Sequence, residues 1–109
     1  MHHIPVDTSG AQAMTAGEAA LVARALVPYN LKPHDEEILI LLLDLTRHGE
    51  RLRGDVIRLG KADVAAAAVG DWHALTTRGP EDSPLGTWNH VRALARVVKA
   101  LRRAVEDSA

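Results

Sequence analysis

The stretch Asp35–Leu59, DEEILILLLDLTRHGERLRGDVIRL, constrains this chain more than any other. Ile38, Leu42, Leu45, Gly49, Leu52, Val56 and Leu59 recur at alternating spacings of four and three, which is one seam of a long helix. Leu39, Ile40, Leu41 and Leu43 make its first half apolar on every side, so other elements are expected to cover it all round. Asp35, Glu36 and Glu37 occupy the first turn, where acids favour the positive end of the helix dipole. Arg47, Arg51, Arg53 and Arg58 load the second half with positive charge. Gly49 and Gly54 each cost about 1 kcal/mol relative to Ala inside a helix. Gly49 is read as the close approach of a neighbouring helix and Gly54 as a mild weakness, while Gly60 suits a left-handed terminator.

The other segments fit themselves to this rod. Residues 1–14 mix Pro5, Asp7, Thr8, Ser9 and Gly10 without period and read as a disordered, flexible arm. Adjacent His2 and His3 on that arm are ordinary terminal sequence rather than a metal site. Thr15 opens a T-A-G-E capping box with Glu18, starting a helix that carries Ala19, Val22, Ala23 and Leu26 to about Val27. Tyr29–Pro33 is a connector with a proline at either side. Asp63 can cap a third helix from Val64 to about Arg78, with Val64, Ala68, Trp72 and Leu75 inward. Ser83 and Pro84 suit the start of a last helix from Leu85 to about Glu106, with a seam of Val91, Leu94, Val98, Leu101 and Val105. Short connections favour antiparallel neighbours. The expected fold is all-α: a four-helix up-down bundle over 15–109 with a long central second helix.

Composition narrows function mainly by exclusion. A chain of 109 residues with 47 % hydrophobic and 25 % charged residues reads as one globular domain. No Cys rules out disulfides, thiolate nucleophiles and thiolate zinc sites, and fits a cytoplasmic protein. The longest apolar run, Ile38–Leu43, is far short of a membrane span, and no secretory signal opens the chain. Arg far outnumbers Lys and Ala is abundant, a usage common in GC-rich genomes. A net charge of −1 gives no bulk attraction to nucleic acid or membrane. No Glu-x-x-His or His-x-x-x-His occurs, and the pair Asp44 and His48 reads as a surface hydrogen bond, so no metal is expected. No serine sits on a nucleophile elbow and no glycine-rich phosphate loop is present, so neither a catalytic residue nor a cofactor is assigned.

Two polar constellations stay open. On a helical wheel Asp71 lies beside Val64 and Leu75, His90 falls in the last helix's seam, and Arg53, His48 and Asp55 flank the seam of the long one. Arg53, Asp71 and His90 could therefore converge, either to fix helix register or to bind a polar ligand with His90 as a general base. Arg92, Arg96, Lys99 and Arg103 fall at i, i+4, i+7 and i+11 opposite the last seam, a basic face that reads as a solvated surface or a phosphate contact. Arg102 stands farther round. Trp88 is expected at the rim of the core, stacked with Arg92 and partly exposed, and Trp72 inside it.

At Leu52-Arg53-Gly54, Val69-Gly70-Asp71 and His90-Val91-Arg92-Ala93-Leu94-Ala95-Arg96-Val97 the chain resembles a family of small actinobacterial proteins of unknown function. Some members of that family are labelled natural-product biosynthesis proteins. Those relatives read L-R-G-H-I, V-G-E-A-R and H-A-R-R-L-A-R-V; here Asp55 stands for the His, Asp71 for the Glu, and Ala93 for the second Arg of the last motif. The resemblance covers roughly Asp35 to Glu106 and selects Arg53, Asp71 and His90 together, without implying a reaction. The preferred expectation is a non-catalytic accessory or interaction protein that forms an antiparallel or crossed homodimer through Leu39, Ile40 and Leu43 or binds another protein. A small-molecule binder or enzyme at Arg53, Asp71 and His90 is the alternative. A nucleic-acid-binding regulator acting through the basic face comes third.

Overall fold

A computed structural model describes residues 17–107. The expected arm over 1–14, and Thr15 of the capping box, lie outside the described residues. Four α-helices follow in order: α1 over 17–25, α2 Asp35–Arg58, α3 Ala66–Arg78 and α4 Gly86–Glu106. A 3-10 turn, Tyr29–Leu31, joins the first two, and no strand occurs among the described residues. The all-α expectation holds, and α2 runs unbroken through both of its glycines.

Local chemistry accounts for the element ends. Pro28 and Pro33 bracket the 3-10 turn, closed by the Leu31 amide donating to the Pro28 carbonyl at 2.8 Å. Past α2, Gly60 takes φ +70°, its amide donates to Ile57 O, and the Lys61 amide donates to Val56 O at 2.9 Å. That pair of bonds is a Schellman motif, as the glycine's position predicts. Asp63 does not cap α3 with its side chain. The chain turns over 62–65, the Ala65 amide donates to the Lys61 carbonyl, and Val64 is left in solvent. Ser83 likewise contributes its backbone carbonyl, to the Gly86 amide, and α4 begins at Gly86, where a Cβ would overlap the carbonyl of Glu81.

Specific contacts set the directions of the helices. Glu18 meets Arg102 and the carbonyls of Ala25 and Val27 meet Arg92, so α1 runs antiparallel to α4. Gly49 faces Trp72 while Arg53 shares a cavity with Val69, so α3 runs antiparallel to α2. Ile38 and Leu39 lie with Trp88 at one end, and His48 reaches the Glu18–Arg102 pair at the other, so α4 runs parallel to α2. This is the up-down arrangement. Helix α4 packs on both α2 and α3, whereas contact between α2 and α3 is narrow.

The core joins Ile38, Leu41, Leu45, Leu52 and Val56 of α2 to Trp88, Val91, Leu94, Ala95, Val98 and Leu101 of α4, with Leu21, Val22 and Ala25 from α1. Leu41 takes the place expected for Leu42, which is half-buried, and Leu59 ends exposed beyond the helix. An apolar run from 38 to 43 fits either phase, and packing on α4 selects one. In α1 the buried stripe is Glu18, Leu21, Val22 and Ala25, so Ala19 and Ala23 face outward. The α3 face is centred on Trp72, with Ala68, Val69 and Leu75 half-buried around it. Trp88 is fully buried, its indole N–H donating to the Tyr29 carbonyl at 3.3 Å, rather than standing at the rim. The first half of α2 is not covered all round: Leu39, Ile40 and Leu43 remain 53 %, 55 % and 64 % exposed.

The two α2 glycines have opposite surroundings. A Cβ on Gly49 would overlap Cη2, Cζ2 and Cζ3 of Trp72, whereas one on Gly54 would meet open space. Gly49→Ala is expected to destabilise the fold by about 1–3 kcal/mol through overpacking. Gly54→Ala should stabilise it by about 0.5–1 kcal/mol through helix propensity. Urea unfolding of the two variants checks both signs.

Candidate functional site

The three polar residues selected by wheel and motif come to rest in three different surroundings. Arg53, half-buried on α2, pairs with Glu50 at 3.2 Å. Asp71 is exposed, because centring α3 on Trp72 turns its neighbour to the outside. His90 is buried at 8 % exposure and lines a cavity of about 120 Å³ with Leu75, Arg78, Asn89 and Ala93, but with neither Arg53 nor Asp71. The expected convergence does not form, and the His90 side chain makes no hydrogen bond or ion pair with another described residue. Burial, and then the positive charge of Arg78, lower its pKa from the ordinary imidazole value. The imidazole shares its cavity with Arg78 and Glu81 but hydrogen-bonds to neither, and no hydroxyl or thiol is among the lining side chains, so no nucleophile–base pair forms there.

The polar groups that do meet inside are others. Glu18, buried in α1, accepts from Arg102 Nε at 2.7 Å and from a terminal guanidinium nitrogen at 2.8 Å, and His48 Nδ1 stands 3.6 Å away. The bidentate bond raises the Arg102 pKa further. Reading Glu18 as half of a capping box hid this role. The available signal was its place one turn before Leu21 and Val22, on their stripe. Glu50 accepts from the Trp72 indole N–H at 2.6 Å. That bond first, and Arg53 second, hold Glu50 below the usual carboxylate range against partial desolvation.

The basic face also divides. Arg92 turns inward, donating to the carbonyls of Ala25 and Val27 at the end of α1, with its guanidinium 5.3 Å from the Trp88 ring and 5.5 Å from Tyr29. Those carbonyls lack helical partners, and a cation there satisfies them. Arg96, Lys99 and Arg103 are exposed on the outside of α4. Among the described residues no group of three or more His, Asp or Glu could hold a metal ion, and no helix is long and apolar enough to cross a membrane.

Glu18 and Arg102 pair inside the fold, whereas the buried His90 side chain stands without a hydrogen-bond partner among the described residues. Residues 16–109 match the family of unknown function DUF6415. The chain belongs to that family. No curated protein and no solved structure matches it. The DUF6415 match takes in α1 as well as the stretch Asp35–Glu106, so the Glu18–Arg102 pair lies within the family's span.

Two outcomes follow for this DUF6415 chain. Arg102→Met keeps the aliphatic stem but leaves Glu18 buried without its cation, and should cost about 2 kcal/mol after allowing for partial exposure. Adding Glu18→Leu removes both charges and should recover most of that loss in chemical denaturation. For His90, the folded pKa lies below the unfolded one, so the unfolded state binds more protons as pH falls. Its contribution is fully present above about pH 6.5 and is lost as pH drops through the lowered folded value. His90→Gln should remove that part of the decline in urea midpoint between about pH 7 and 5.

Proposed function

We propose that this chain is a small non-catalytic interaction protein, cytoplasmic and actinobacterial, that serves natural-product biosynthesis through protein contacts made by the outer face of α2. One observation carries the reading: Leu39, Ile40 and Leu43 stand more than half exposed, side by side, on the longest helix. Scattered exposed aliphatics need no explanation, whereas a contiguous stripe on a rigid rod suits a docking surface. The setting rests on the resemblance of the three motifs at Leu52–Gly54, Val69–Asp71 and His90–Val97 to proteins some of which carry a natural-product biosynthesis label. The small-molecule alternative loses its three-residue cluster to the packing of Trp72, and the nucleic-acid alternative loses Arg92 to α1.

The double variant Leu39→Glu, Leu43→Glu tests the reading. It should keep its helical circular dichroism and a Tm within a few degrees of the parent, since both side chains face solvent in the monomer. It should also lose every association the parent shows in sedimentation velocity. Unfolding of the variant, or association that survives it, would sink the reading.

A further inference from the structure

Resting on that reading, we infer that the occupant of the α2 face is a second copy of this chain, docked antiparallel about a two-fold axis passing between Ile40 and Leu43. Glu36, Ile40, Leu43 and Arg47 fall at i, i+4, i+7 and i+11, one stripe along α2, and all four are exposed. The stripe has acid at one end, two large aliphatics in the middle and a guanidinium at the other. Glu36 and Arg47 lie equally far from its centre. A two-fold axis through that centre therefore sets Glu36 of each protomer level with Arg47 of its partner, and Ile40 level with Leu43. A parallel pairing would instead set acid against acid and guanidinium against guanidinium.

Both charges are available. Arg47 reaches only Asp44 on its own helix, at a long 3.8 Å in solvent, a pair of little worth. Glu36 has no ion pair among the described residues and lies on the acidic first turn, in an open groove lined also by Ile40, His34 and Arg24 of α1. The face is self-complementary, as a closed two-fold interface requires. A single helix–helix contact buries less than the roughly 1,600 Å² of a standard interface, which suits a reversible rather than an obligate association.

The chain contains no cysteine, which makes the register directly testable. Glu36→Arg alone and Arg47→Glu alone should each weaken the dimer roughly tenfold in sedimentation equilibrium at low salt, and the combined swap should restore it. Glu36→Cys and Arg47→Cys chains, mixed, should be joined by a short bismaleimide. Neither alone should be, because like positions lie about 16 Å apart along the axis. A dimer lost on Leu39→Glu, Leu43→Glu but insensitive to both charge reversals, or one cross-linked through Glu36→Cys alone, would overturn the antiparallel register and leave the docking face standing. A parent that stays monomeric at several hundred micromolar would overturn the second copy as occupant.

Discussion

The indole of Trp72 rests on α2 at a position where α2 carries no side chain. With a Cβ at Gly49 the ring could not lie there, and contact between α2 and α3 is too narrow to survive its loss unchanged. The seat also has a polar latch, because Glu50, next along the helix, accepts the indole N–H. One packing event thus sets the rotation of α3. It sends Asp71 outward, draws Glu50 and with it Arg53 to the α2–α3 groove, and leaves His90 at the other side of α3 with Arg78. The dispersal of the three motif residues is a consequence of that seat and not of any defect in their helical placement.

Helix α1 is held differently. Its buried apolar residues are Leu21, Val22 and Ala25, a small contribution for a helix. Helix α4 compensates with two arginines, Arg102 on the buried Glu18 carboxylate and Arg92 on the carbonyls at the far end. Both contacts fix the antiparallel direction, since exchanging the ends would set a guanidinium away from its acceptor and strand a buried carboxylate. The arginine-rich look of α4 is therefore partly internal. Only Arg96, Lys99 and Arg103 of the predicted basic face remain directed to solvent, and a shortened stripe projects a weaker field toward phosphates than the sequence suggests.

Periodicity made the rods legible: the unbroken α2, the α4 seam, the stop at Gly60 and the close approach at Gly49 all follow from spacing and backbone chemistry. What escaped was helix phase wherever two phases were equally apolar. Leu41 and Leu42 are interchangeable on a wheel, and contact with α4 decides between them. Asp63 and Ser83 looked like side-chain caps because their chemistry allows it, but the turns formed there use their carbonyls. Glu18 and Arg102, separated by 84 positions, are joined by tertiary contact, which no local pattern encodes. The site was legible only as a set of polar residues on inner faces; which of them meet depended on the rotation of α3.

The same phase choice explains why α2 keeps a bare face. Once Leu41 turns toward α4, Leu39, Ile40 and Leu43 stay more than half exposed among the described residues. The bundle's own geometry adds an electrostatic reason for what could cover them. Helices α2 and α4 run parallel, so their dipoles align side by side, and the acids of Asp35–Glu37 offset only the positive end of α2. An antiparallel neighbour on the opposite face of α2 would bring a guanidinium, Arg47 of the second copy, near those acids and offset part of their charge. Salt screens such terms, so they orient a partner more than they hold it, while the aliphatic stripe supplies the attraction. Adhesion and direction thus come from different residues on one rod, and each can be altered without touching the core.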